Sequence, residues 1–105
     1  MPVTAPEIEQ TGQAEDALAP LYHVVLLDDD DHTYEYVIRM LGTLFGFDAD
    51  KAMGHAREVD QTGRTVLITT TRERAELKQE QIHGFGSDPL LPRSKGSMSA
   101  VLEPA

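Results

Sequence analysis

A chain of 105 residues has room for one small domain with at most a tail, which excludes most multi-step enzymes. Nine Lys and Arg against 18 Asp and Glu leave a formal net charge of -9, so phosphate backbones and anionic lipid are repelled and neither nucleic acid nor membrane is an expected partner. With no Cys there is no disulfide, thiolate metal site or thiol nucleophile, and no apolar run approaches the roughly 20 residues of a membrane span.

The hydrophobic fraction is 40%, below the usual globular share, so part of the chain is expected to be tail or loop. Residues 1–20 hold three Pro, four acids and no base, with Val3, Ile8 and Leu18 too sparse to bury anything. They read as a disordered acidic arm, and residues 21–105 as the folded domain. The start of the chain lacks the basic and apolar regions of a secretory leader, so a cytoplasmic protein is expected.

Leu21–Leu27 (LYHVVLL) is short, apolar and β-branched, hence a buried strand. It runs into four consecutive acids, Asp28 to Asp31. From Tyr34 the period becomes helical, with Val37, Ile38, Leu41, Leu44 and Phe45 on one stripe. Asp31 or Thr33 is placed to cap this helix, and Gly46 to end it. A second helix starts after Asp48, with Ala52, Met53, Ala56 and Val59 facing inward, and Thr62-Gly63 closes it. Arg64–Thr70 (RTVLITT) is the second strand. Thr70 and Glu73 form a capping box for a third helix carrying Ala75, Lys78, Ile82 and Phe85 on one side, ended by Gly84 and Gly86. Residues 86–96 are a loop punctuated by Pro and Gly. Ser97–Glu103 alternates, with Met98, Ala100 and Leu102 on one face, as an edge strand does. The fold class is therefore α/β (α+β): one small β-α-α-β-α-β domain whose three-stranded sheet carries its helices on one face.

The Asp28–Asp31 run is the most unusual feature, and four adjacent acids cost repulsion that a simple turn does not require. A phosphoacceptor receiver domain is rejected, because the second strand ends in Thr and no late strand ends in Lys. An EF-hand loop starting at Asp28 fails, because its sixth and twelfth places hold Thr33 and Arg39. Only a weak divalent-cation site at Asp28, Asp30 and His32 is left of the metal readings. No Ser, His and acid fall into a triad pattern, and no Gly-rich phosphate loop is present, so no enzyme, resident metal or cofactor is expected.

Tyr22–Val37 (YHVVLLDDDDHTYEYV) resembles the opening of the ClpS adaptor family, in which an apolar strand runs into an acidic turn and an amphipathic helix. The resemblance continues through Leu41–Asp48, Lys51-Ala52, Gln61–Arg64, Thr71–Lys78 and Ala100–Glu103, covering residues 22–85 and about 97–103. It implies an adaptor of the N-degron pathway, a monomer that binds the N-terminal Leu, Phe, Tyr or Trp of a substrate. The adaptor delivers that substrate to the N-domain of a Clp-type AAA+ unfoldase, which also engages the arm.

Matched position by position, the resemblance puts Asp28 where the family has its amine-binding Asn, and keeps the following acid as Asp29. Asp60 stands in place of a His. Val37 and Val59 match the apolar wall, Tyr34 and Ala56 replace two wall Met residues, and Met98 falls on a wall Leu. His32, beside the acidic turn, is counted with the substrate-binding residues. Glu73 and Lys78 match the unfoldase-facing pair. Three carboxylates still suit a cationic α-ammonium, whose pKa lies near 8, through charge-assisted hydrogen bonds. The loop is longer than the family's and carries Arg93 and Lys95, two cations able to reach this acidic site. An alternative keeps the fold and the AAA+ partner but drops the reading of substrate N-termini.

Overall fold

The computed structural model describes residues 4–9, 19–91, 94 and 96–105. Its elements run β1 (Glu7–Ile8), β2 (Leu21–Leu27), α1 (Tyr34–Phe45), α2 (Ala49–Thr62), β3 (Arg64–Thr71), α3 (Arg72–His83) and β4 (Ala100–Pro104). The sheet order is β1-β3-β2-β4. β2 is central and antiparallel to both β3 and β4, while β1 runs parallel to β3 at the far edge.

Strand pairing sets the faces. Val24 lies opposite Ile68 and Leu102, and Leu26 opposite Thr65 and Ala100. Between them the register slips at Val24/Val25, so β3 has one residue more than β2 over this stretch. Such a bulge lets Leu67 and its neighbour Ile68 both join the core. The same cluster takes Val37, Met40 and Leu41 from α1, Ala52, Ala56 and Val59 from α2, and Ala75 and Ile82 from α3. All three helices thus bury their stripes on one side of the sheet. On the other side His23 meets Thr69 across the β2–β3 ladder, Nδ1 to Oγ1 at 2.7 Å.

The caps follow local chemistry. Thr33 accepts from the Tyr36 N–H to start α1, and Gly46, at φ 69°, ends it with a turn only Gly takes cheaply. Asp48 accepts from the Lys51 N–H to start α2. α3 departs by one residue from the sequence expectation: Thr71, not Thr70, accepts from the Arg74 N–H. The reason is the ladder, which extends to pair Leu21 with Thr71 and holds Thr70 buried opposite Tyr22. In α2 the buried position is His55 rather than Met53, which is half-buried. β4 begins at Ala100, so Met98 is buried in the segment leading to it.

Four strands replace the expected three. Glu7–Ile8 pairs by backbone with Ile68 and Thr69, and the Glu9 N–H donates to the Thr69 carbonyl at 2.9 Å. Ile8 stays 61% exposed, so this strand adds no core and left no apolar signature to read. Residues 1–3 and 10–18 of the acidic arm lie outside the described residues. No helix among the described residues is long and apolar enough to cross a membrane.

Candidate functional site

β2 delivers the acidic turn to a fixed place. The Leu27 N–H donates to the Ser99 carbonyl and the Asp28 N–H to the Gly63 carbonyl, each at 3.0 Å. The turn therefore lies between the end of α2 and the approach to β4. Asp29 Oδ1 accepts from the Asp31 N–H at 2.9 Å, an Asx-type turn that reverses the chain toward α1.

Around this turn the structure assembles residues from four elements. Tyr34, at the first turn of α1, donates its hydroxyl to Asp60 Oδ2 on α2 at 2.7 Å. Asp28 and Asp60 are exposed and Asp29 is half-buried. Val37 on the helix of Tyr34, Ala56 and Val59 on the helix of Asp60, and Met98 all belong to the apolar core, each at most 3% exposed.

The electrostatics reflect that crowding. Partial desolvation pushes the Asp28 carboxyl above its ordinary value, and the neighbouring charges of Asp60, Asp29 and Asp30 push the same way against a backbone hydrogen bond. The Tyr34 phenol is raised chiefly by its bond to Asp60. A cation placed beside Asp28 would offset the neighbouring negative charges that disfavour its ionised form. Among the described residues, no group of three or more acid or imidazole side chains is arranged as metal ligands.

His32 occupies a different position from the open rim. Its side chain is only 3% exposed, and Nδ1 lies 2.7 and 2.9 Å from the two carboxylate oxygens of Asp29. Nε2 lies 2.7 Å from the Gly96 carbonyl at the far end of the loop. Asp88, which the sequence reading missed, is 2% exposed in that loop and accepts from the Thr33 N–H at 2.6 Å and the Leu90 N–H at 2.9 Å. Burial raises the Asp88 carboxyl, but these donors outweigh it and hold it below the usual carboxylate range. Its only sequence signal is a Ser-Asp-Pro turn. Arg93 and Lys95 lie outside the described residues.

The α3 pair is divided. Glu73 is exposed in the first turn. Lys78 is 7% exposed and donates Nζ to the Leu44 carbonyl at 2.6 Å, near the C-terminus of α1. Burial pushes this ammonium below its ordinary value.

Residues 17–91 match the family model described as ATP-dependent Clp protease adaptor protein ClpS. The chain belongs to the ClpS family. Among its curated ClpS relatives, the adapter of Desulforapulum autotrophicum is 30% identical over 96 residues, covering 88% of this chain and 92% of that protein. The ClpS adapter of Streptomyces avermitilis is 34% identical over 92 residues, 80% of this chain and 88% of that one. A solved structure of Agrobacterium tumefaciens ClpS2 bound to L-phenylalaninamide superposes with a TM-score of 0.70 at 26% identity, over 82% of this chain and 98% of that one. The ClpS architecture is therefore retained across most of this chain.

Proposed function

We propose that this protein is a non-catalytic N-degron adaptor: it captures substrates by their N-terminal residue and hands them to a Clp-type AAA+ unfoldase. The observation that carries this reading is the convergence of the carboxylates Asp28, Asp29 and Asp60 at the mouths of α1 and α2, whose buried faces supply Val37, Ala56 and Val59 to the apolar core that Met98 also joins. An N-terminal hydrophobic residue presents the complementary pair, a cationic amine and an apolar side chain. The L-phenylalaninamide bound by the Agrobacterium relative has the same two groups.

Charge supports the division of labour. The carboxylates attract the ammonium through charge-assisted hydrogen bonds, while the buried wall takes the side chain. Of the α3 pair, Glu73 is the exposed residue available to the unfoldase N-domain, and the acidic arm is the second point of engagement. Lys78 contributes from below by fixing α3 to α1, and reaches a partner only by leaving the Leu44 carbonyl. The protein works as a monomer in the cytoplasm, with no nucleic-acid or membrane partner and no cofactor.

Fluorescence anisotropy with peptides beginning Leu, Phe, Tyr or Trp, each paired with its N-acetylated form, tests the reading. Binding is expected only with the free amine; equal binding of both forms would end the claim of amine recognition. One observation favours a second reading, in which the fold docks on the unfoldase without reading N-termini: Asp60 and Asp29 already hold Tyr34 and His32. Capture of the unfoldase N-domain by a protein that binds none of the peptides would select it.

A further inference from the structure

We propose that His32 is a positioning residue, which fixes the carboxylate of Asp29 and fastens Gly96 to it through a single doubly donating imidazolium. The proposal rests on the reading of Asp29 as an amine acceptor, and extends it to the loop and to pH.

Both neighbours of the ring are acceptors. A carboxylate and a carbonyl have no proton to give, so a ring bonded to both donates from both nitrogens and carries a positive charge. The Nδ1 side meets both Asp29 oxygens and the Nε2 side meets the Gly96 carbonyl, 64 residues away. The ring is held in place by Tyr36 of α1, whose centroid lies 4.4 Å away. Tyr36 in turn donates its hydroxyl to the Gly86 carbonyl, so the loop is tied at both ends to α1 and the acidic turn.

The other groups facing His32 reinforce this. Ser94 Oγ stands 3.5 Å from Nε2 and accepts from the Asp88 N–H at 2.8 Å. The Asp88 carboxylate and the His32 charge attract one another, and Asp88 simultaneously closes the loop on the Thr33 N–H. A neutral residue at position 32 would leave Asp29 and Asp88 without this shared cation.

The arrangement leaves Asp29 usable. An ionised carboxylate has about four lone-pair sites. His32 and the Asp31 N–H occupy its inner side, while the side chain remains 31% exposed for an incoming ammonium. Its orientation is thus set before the ligand arrives, which lowers the ordering cost of binding. Loss of the ring proton leaves one donor for two acceptors. The bidentate carboxylate retains it, and the Gly96 carbonyl is released. Protonation of His32 therefore holds the Gly96 carbonyl against the turn and deprotonation releases it.

The test uses the full chain, isotopically labelled and titrated by nuclear magnetic resonance. The Asp29 carboxyl carbon and the Gly96 carbonyl carbon are expected to share the midpoint of the His32 ring, and to lose that shared transition in His32→Gln. Signals at Gly96 that ignore the His32 titration would overturn the coupling. In the second arm, His32→Gln is expected to weaken binding of a fluorescent peptide beginning with free Phe about tenfold near neutral pH, the scale of one charged hydrogen bond. Part of that difference should persist as pH rises past the wild-type His32 midpoint, because the neutral ring still donates to Asp29. An affinity unchanged by His32→Gln would overturn the positioning of Asp29. A wild-type protein that binds no free-amine peptide would instead remove the adaptor reading, while the resonance titration still decides the loop coupling.

Discussion

Tyr34 and Asp60 close a bridge across the rim, hydroxyl to carboxylate at 2.7 Å, between helices 26 residues apart in sequence. An acceptor engaged this way is only partly available to an incoming amine. Tyr34→Phe is therefore expected to strengthen binding of free-amine peptides by about two- to fivefold, at the low end of what one hydrogen bond is worth. Anisotropy reads this directly, and weaker binding would show that the phenol itself contacts the ligand. The same bond raises the Tyr34 phenol above its ordinary 10.0. Asp60→Asn should return it toward that value in an ultraviolet titration, with Tyr34→Phe identifying the band.

His55 gives the protein a defined acid sensitivity. It is fully buried, stacked on Phe47 and bonded through Nδ1 to Thr65 Oγ1 at 2.7 Å, while Nε2 has no hydrogen-bond partner among the described residues. Desolvation lowers it from 6.5 to about 4. The folded state thus binds fewer protons than the unfolded one between these values. Stability is full above the unfolded pKa and falls as pH drops from 6.5 toward 4, by at most about 3 kcal/mol. Urea denaturation at stepped pH checks this. His55→Leu is expected to flatten the profile across that window, and an unaltered slope would assign the acid sensitivity to the carboxylates.

Much of the fold was legible because its signals are local. The β-branched run Val24-Val25 and the caps Thr33, Asp48, Gly46 and Gly63 declare themselves within a few residues. The wall residues were placed by helical spacing and the resemblance together. What stayed hidden depends on distance along the chain. His32 acquires its role from Gly96, and Asp88 from Thr33, 55 residues before it. Glu7–Ile8 joins the sheet by backbone pairing and one ion pair to Lys51, for which no apolar side-chain pattern exists. Helical spacing put Lys78 on the apolar side of α3 with Ala75 and Ile82, where it is buried, whereas the resemblance turned it toward the unfoldase; a Lys can bury its stem while its ammonium finds a carbonyl.

The two α3 residues should separate on substitution. Lys78→Met keeps the buried stem and removes the donor to the Leu44 carbonyl, so it is expected to cost about 1–2 kcal/mol of stability. Thermal denaturation measures that loss. Glu73→Lys lies on the surface and should leave Tm nearly unchanged while weakening capture of the unfoldase N-domain. Equal loss of capture in both, at temperatures where both are folded, would return Lys78 to the docking surface.

The segment before β2 can be tested with covalent chemistry. Thr4 sits over Gly54 of α2, its Oγ1 only 2.9 Å and its Cβ 3.8 Å from where a Cβ on Gly54 would stand. Lys51 donates to the Ala5 carbonyl and pairs with Glu7 at 3.1 Å, and Arg74 pairs with Glu9 at 3.1 Å. These are exposed ion pairs of small individual worth, so the segment is held by several weak ties and is easily withdrawn. A Cβ separation of about 3.8 Å is the mean for a disulfide. Because the chain contains no Cys, Thr4→Cys with Gly54→Cys creates one possible bond. Mild oxidation is expected to form it readily in the native protein and not in urea. The locked form should bind N-degron peptides as the reduced form does, because the pocket lies on other residues. Delivery to the unfoldase should slow when the arm cannot be drawn off α2, and recover on reduction. Equal delivery by locked and reduced protein would mean that the unfoldase grips the arm only before residue 4 or after residue 9, and leaves β1 in the sheet.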